Sequence, residues 1–351
     1  PYAYSQFVRA TMGLRISLII PVHNGGIAFS RCLESLTSSS RTPDEVIVVA
    51  DGETDGTWRS AEAMGADVIR LAESGGPARA RNQGAWHATG DILFFVDADV
   101  SVHPGTIVRV EQEFLNSPNL DALIGSYDDQ PGADNFLSQY KNLFHHYTHQ
   151  TASENASTFW GACGAIRRSK FEAVGRFDEK YRSPCIEDIE LGYRLKQSGH
   201  TIRLCKDIQV KHLKKWEPYS LLRAEIVYRA LPWSHLILQS RRLDADLNLS
   251  YANRLSVLLA FGLVGSAIGI SVVTWLAGVT LVCGLGLLIV NWPVYRFFYI
   301  KRGLKFTLQM IPWHGLYFLY GGSAFAVALV RYYVTFMPQL KLFQREPQTL
   351  E

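Results

Sequence analysis

The stretch LSVLLAFGLVGSAIGISVVTWLAG, residues 255–278, carries no charged side chain over its full length. A helix in a soluble core normally keeps one polar face, and this run offers none. It falls among three apolar segments, 255–275, 276–294 and 311–330, each near the roughly 20 residues a helix needs to cross a bilayer. Residues ahead of 250 have the mixed make-up of a globular chain. The expectation is therefore a soluble part followed by an α-helical membrane region over 251–337 with about three helices, and then a tail at 338–351. Gly262, Gly265, Gly269, Gly284 and Gly286 suit close helix packing in lipid. Trp275, Trp292 and Trp313 fall near the expected interfaces.

The opening PYAYSQFVRATMGLR lacks the apolar run of a secretory signal. The soluble part is accordingly expected to face the cytoplasm from the inner (plasma) membrane, held by a multi-pass anchor. Arg241, Arg242 and Arg254 before the first segment, with Arg296, Lys301, Arg302 and Lys305 after the second, agree with that orientation. A third span would carry the tail outside, against the charges of Arg331, Lys341 and Arg345. A full span and a re-entrant or tilted segment both stay open. The five cysteines lie far apart without a CxxC pair, which reads as reduced thiols. A formal charge of +3 is too small to suggest nucleic acid as a partner. Basic residues outnumber acidic ones between Arg203 and Arg242, with Trp216, Tyr219, Tyr228 and Trp233 interleaved. Beside a membrane anchor this pattern reads as an interfacial amphipathic linker, 213–250, meeting anionic headgroups.

The first 130 residues alternate between two periods. RISLIIPV, DEVIVVAD, ADVIRL and DILFFVD read as short buried strands, and Ala28–Leu36, Thr57–Met64 and Pro77–Ala88 have helical spacing. Such alternation implies a mainly parallel sheet with helices on both faces, whose ligands sit beyond the carboxyl ends of the strands. Those ends carry Asp51, Asp97 and Asp99. From Gly132 to Arg194 the pattern changes to a His- and Tyr-rich helical stretch, the Gly-rich WGACGAIRR and the acidic CIEDIELGYRL.

Two carboxylates one residue apart at a strand end repel each other and resist desolvation, so a cation or a hydrogen-bonded ligand should compensate them. With LIIPVHNGG, VVADGETDGT, GGPARARNQG and CIEDIELGYRL in the same order, FFVDADV resembles the inverting nucleotide-sugar glycosyltransferases of family 2. The resemblance covers roughly residues 16–212 and implies a GT-A fold, Rossmann-like, as a catalytic domain over 12–212. It implies that Pro21, Val22, His23 and Asp51 hold the base and ribose, although the family's paired DD is reduced here to Ala50-Asp51. Arg81 would lie beside the phosphates, with Asp97 at the ribose or in the metal shell. Asp99 would bind Mg²⁺ or Mn²⁺, with His212 nearby. Hard oxygen ligands and a divalent cation stabilise the charge that gathers on a departing nucleoside diphosphate.

In Glu187-Asp188, matching the family's ED pair, the aspartate would be the general base that takes a proton from an acceptor hydroxyl. Trp160, Gly161, Ala162 and Cys163 would line the sugar and acceptor pocket. His145, His146 and His149 have a spacing that could bind metal but lack a nearby carboxylate or thiol, which favours an interfacial or acceptor-facing helix. Processive synthases carry a Gln-x-x-Arg-Trp motif; Gln239-Ser-Arg-Arg242-Leu243 lacks its Trp, which favours transfer of a single sugar.

The expected activity is that of a membrane-bound hexosyltransferase moving one sugar, with UDP as the favoured carrier, to a hydroxyl of a lipid or lipid-linked acceptor. The alternatives are a polyprenyl-phosphate glycosyltransferase, a short-chain processive synthase and a catalytically silent membrane scaffold. A dinucleotide-dependent oxidoreductase shares the alternation but requires a Gly-x-Gly-x-x-Gly that is missing after the first strand.

Overall fold

The computed structural model describes residues 13–241 and 247–335. Arg242, Leu243 and the tail at 338–351 lie outside the described residues. The chain divides into two compact units, the first ending at Trp216 and the second beginning at Glu217.

The first unit is built on a mixed sheet. Strands β1 (Ile16–Val22), β2 (Glu45–Asp51), β3 (Asp67–Leu71) and β4 (Ile92–Val96) are followed by β5 (Val100–Val102), β6 (Ala122–Tyr127), β7 (Cys163–Arg167) and β8 (Ile202–His212). Their order across the sheet is β3-β2-β1-β4-β7-β6-β8-β5. The first four run parallel, β7 lies antiparallel between β4 and β6, and β8 runs parallel to β6. Ile16, Leu18, Ile20 and Val22 feed one core layer while Ile19 feeds the other; Phe94 and Val96 divide from Leu93 and Phe95 in the same way. Burial on both faces is why these strands read as unbroken apolar runs.

Helices α1 (Gly26–Thr37), α2 (Trp58–Ala63), α3 (Pro77–His87), α4 (Thr106–Asn116), α5 (Phe136–Thr151), α6 (Arg168–Ala173) and α7 (Glu187–Gln197) complete the first unit. Strand order reverses at β1, whose neighbours are β2 on one side and β4 on the other. A sheet of this kind opens a crevice at that switch point. Val22 and His23 flank the crevice from β1, and Asp97 from β4.

The second unit is helical. Short α8 (Pro218–Arg223), a π-helical turn at Ala224–Ala230 and α9 (Leu231–Ser240) precede α10 (Tyr251–Gly269), α11 (Leu276–Val290) and α12 (Trp292–Thr335). By length and composition alone, Tyr251–Gly269 and Trp292–Val334 could cross a membrane, whereas Leu276–Val290 is a shorter apolar helix of 15 residues. The two apolar segments expected at 255–275 and 276–294 are therefore trimmed: residues 270–275 leave the helix, and a new helix begins at Trp292. Polar side chains lie near these limits. Asn291 donates to Leu287 O at 2.9 Å and to Ser256 Oγ at 2.8 Å, and Ser266 Oγ meets Thr280 Oγ1 at 2.8 Å, so α10 and α11 are joined at both ends. Gly303, with φ of +80°, interrupts α12 ahead of the segment expected at 311–330.

Candidate active site

Strand pairing assembles the site from distant parts of the chain. Val100 pairs with His212 across β5 and β8, and Leu213 N donates to Asp99 O at 2.8 Å, so His212 is brought beside Asp99. The pairing of Val96 with Cys163 across β4 and β7 brings the 160–162 segment beside Asp97 in the same way. Helix α7 contributes Glu187 and Asp188 from its first turn, where the helix dipole favours negative charge.

Arg81 on α3 lies at the centre. Its Nη2 donates to Asp97 Oδ1 at 2.6 Å and its Nη1 to Glu187 Oε1 at 2.8 Å, with the residue only 3% exposed. Burial alone would favour the neutral guanidine, but Asp97, Glu187 and Asp188 around it keep it charged and push its pKa upward. Both terminal nitrogens are thus engaged by carboxylates, and Nε is buried with no hydrogen-bond partner. The second oxygen of Glu187 accepts from Cys185 N at 2.9 Å. Asp188 accepts from Gly161 N at Oδ2 (3.0 Å) and from Ile189 N at Oδ1 (2.8 Å).

Asp97 and Asp99 are in opposed electrostatic settings. Burial raises Asp97, helped by the charge of Asp99, and outweighs the attraction of Arg81, so its carboxyl sits above the ordinary range. In Asp99 burial is overcome by His212, with Lys214 adding to it, and the carboxyl is held at about 2. His212 Nε2 lies 3.6 Å from Asp99 Oδ2, beyond hydrogen-bond length. The other ring nitrogen, Nδ1, is 2.6 Å from Asn142 Oδ1 on α5, and the ring stacks on Tyr127 at 4.4 Å. A hydrogen bond of that kind is what orients an imidazole for a metal.

The donor chemistry fits a hard divalent cation. Asp99 and Asp97 would offer it hard oxygen donors and His212 an imidazole nitrogen, although among the described residues no three His, Cys, Asp or Glu side chains converge on one point.

The remaining expected residues are placed as follows. Pro21 and Val22 end β1, and His23 Nδ1 lies 2.7 Å from Asp51 O. The Asp51 carboxylate is buried and accepts from Ser74 Oγ (2.9 Å), Gly75 N (2.8 Å) and Gly76 N (2.8 Å). It fixes the turn that starts α3, where Gly76 at φ +88° could not bear a side chain: a Cβ would lie 2.4 Å from Arg182 O. Trp160 packs on Tyr127, His145 and His149 at 4.7, 5.0 and 5.1 Å between ring centres. Ala162 and Cys163 are buried in the core layer under β4. His146 and His149 set their Nδ1 atoms 2.7 and 3.0 Å from Tyr127 O and Gly125 O, tying α5 to β6. Asn142 and Tyr127, which position His212, had no motif to mark them.

Comparison with known proteins agrees with this architecture. Residues 17–175 match the family model described as Glycosyl transferase family 2. Uncharacterized glycosyltransferase YibD of Escherichia coli K12 is 38% identical over 94 residues, covering 26% of this chain and 27% of that protein. Uncharacterized glycosyltransferase YfnE of Bacillus subtilis is 24% identical over 291 residues, covering 67% of this chain and 73% of that protein. The chain spans only 27% of YibD and 41% of GlyG, a glycosyltransferase of Streptococcus pneumoniae. Among solved structures, the mannosyltransferase PcManGT from Pyrobaculum calidifontis, in complex with GDP-Man and Mn²⁺, superposes with a TM-score of 0.54. It is 17% identical and the match covers 98% of this chain and 94% of that one, a likeness of fold. Residues 17–175 of the first unit thus match a glycosyl transferase family 2 domain, and the fold is like that of solved GT-A glycosyltransferases.

Proposed function

We propose that the protein is a membrane-bound inverting glycosyltransferase. It moves one sugar from a nucleotide-sugar donor, with a UDP-sugar favoured, to a hydroxyl of a lipid or lipid-linked acceptor. The observation that carries this reading is the placing of two pairs beyond the strand ends, Asp99 beside His212 and Asp97 tied through the buried Arg81 to Glu187, whose neighbour Asp188 is held by Gly161 N. Pro21, Val22 and His23 border the place for the base and ribose, with Asp51 behind them. When Mg²⁺ or Mn²⁺ is bound by Asp99, with Asp97 and His212 beside it, the cation supplies Lewis-acid stabilisation of the departing diphosphate. Asp188 accepts the proton of an acceptor hydroxyl as that oxygen attacks the anomeric carbon from the opposite face, which inverts the configuration. A phosphate acceptor is already a nucleophile and needs no base, so Asp188 favours a hydroxyl. Trp160 and Gly161 border the acceptor side.

The second unit supports a membrane location. Only 17% and 22% of the residues in the most apolar windows of α10 and α12 are buried, whereas a soluble core helix buries most of its length. Leu258, Ile268 and Val272 are among the apolar side chains left exposed. Single-sugar transfer is favoured over extrusion of a polymer, because Leu243 stands where the processive synthases carry the Trp of their Gln-x-x-Arg-Trp motif.

Two variants of the full chain test the roles. Asp99→Ala is expected to abolish transfer and to lose metal-supported donor binding. Asp188→Asn is expected to abolish transfer while donor binding, read by calorimetry with Mn²⁺ present, stays within about threefold of wild type, because removing a general base costs on the order of 10²–10⁴ in rate. Normal turnover by Asp188→Asn would remove the general-base assignment.

A further inference from the structure

Gly161 touches both halves of the candidate site. Its N–H donates to Asp188 Oδ2 at 3.0 Å. On its other side there is no room for a side chain, since a Cβ would lie 2.8 Å from both Cζ and Nη2 of Arg81 and 3.2 Å from its Nε. The backbone does not explain the glycine, because Gly161 is absent from the glycines with positive φ. Its φ lies outside the left-handed region that favours glycine. The three atoms nearest to such a Cβ all belong to the guanidinium of Arg81.

Arg81 cannot retreat cheaply. Its two terminal nitrogens are bound to Asp97 and Glu187 at 2.6 and 2.8 Å, and the ring of Phe177 lies 5.4 Å from its Cζ. Moving the group by the several tenths of an ångström that a methyl demands would stretch both ion pairs and leave the buried Glu187 and the half-buried Asp97 without their counter-charge.

We propose that Gly161 is a positioning residue. Through its N–H it holds Asp188, and through its missing Cβ it admits Arg81, so a single residue sets the spacing between the carboxylate beside the departing group and the carboxylate beside the attacking one. This rests on the roles proposed above for Asp97 and Asp188. It assigns Gly161 more than the passive smallness of a pocket wall. Any side chain at 161 acts on the rate through Arg81 even where sugar and acceptor have space for it.

The test is a double-mutant cycle in the full-length, detergent-solubilised protein, joining Gly161→Ala with Arg81→Lys, whose narrow ammonium lacks the planar fork that a Cβ would strike. Gly161→Ala alone is expected to lower kcat about 100-fold, the scale of loss from an ångström-sized misplacement, with the donor KM within about threefold. In the Arg81→Lys background the same change is expected to cost less than about threefold. Equal losses in the two backgrounds, or wild-type kcat in Gly161→Ala, would overturn the proposal. Melting temperatures of the four proteins form a second cycle that needs no turnover. If wild type transfers from no donor, the proposed function fails, while coupling or additivity in the melting cycle still decides whether Gly161 and Arg81 act on each other.

Discussion

Three donors from the 74–76 turn converge on the Asp51 carboxylate, which is buried at the end of β2. An amide there has one acceptor oxygen and would turn its NH₂ towards a backbone N–H. Asp51→Asn is expected to destabilise the first unit by about 1–3 kcal/mol, the cost of leaving a buried donor unmatched, as read by urea unfolding. Unchanged stability would show that the turn is held by other means. Residues that carry chemistry by their type were legible in the sequence. Asp97, Asp99, Arg81 and Glu187-Asp188 stand in a recognisable order, and the fold brings them together. Arg81 itself is directed onto carboxylates, where the resemblance had suggested phosphates. That could not be read from the chain, because the distance from Arg81 to Glu187 depends on how α3 and α7 pack. Asn142 and Tyr127 were illegible for the same reason: nothing in their own neighbourhood distinguishes a residue that orients His212.

At the scale of elements, β1 to β4 agree with the apolar runs to within a residue or two; β1 and β4 are buried on both faces and end where their apolar runs end, whereas β3 is partly exposed. Strand β8 escaped notice. Its outward positions are occupied by Arg203, Lys206, Asp207, Gln209 and Lys211, so the run reads as a charged surface until its pairing with β5 and β6 is known. Strand β6 falls within the first 130 residues and follows α4 directly, yet it is not among the four apolar runs that read as strands. One ionisable group ties several elements together. Glu45, first residue of β2, accepts from Ser17 on β1 and from the backbone of Thr89 (2.6 Å) and Gly90 (3.1 Å), which lead into β4. Burial works to raise this carboxyl, but the hydrogen bonds prevail and its pKa lies below the ordinary value of 4.5. The folded state therefore binds the proton less readily than the unfolded one. The stabilisation is present in full above about pH 4.5 and is lost as the pH falls through the lowered value. Unfolding curves of Glu45→Gln should thus diverge from wild type near neutrality and converge as the pH falls below the lowered value; a gap independent of pH would remove the carboxylate from the account.

For the whole molecule, the division at residues 216–217 separates a domain whose apolar residues are buried from helices whose apolar residues are exposed. That contrast was plain in the sequence, since hydropathy changes abruptly after residue 250 and no spatial knowledge is needed to see it. The limits of the helices were not, because Ser256, Asn291 and Gly303 act through packing and backbone conformation inside runs that composition treats as uniform. The combined account is of a metal-assisted sugar transfer carried out beside a membrane. Its most direct test is to incubate the purified, detergent-solubilised protein with radiolabelled UDP-, GDP- and dTDP-sugars, total membrane lipid and Mn²⁺ or Mg²⁺, with EDTA in a parallel series, and to follow label into the organic phase. The account predicts lipid-soluble label from one nucleotide class, the UDP-sugar foremost, and none in EDTA. Transfer that is undiminished by EDTA, or no turnover of any donor, would contradict it.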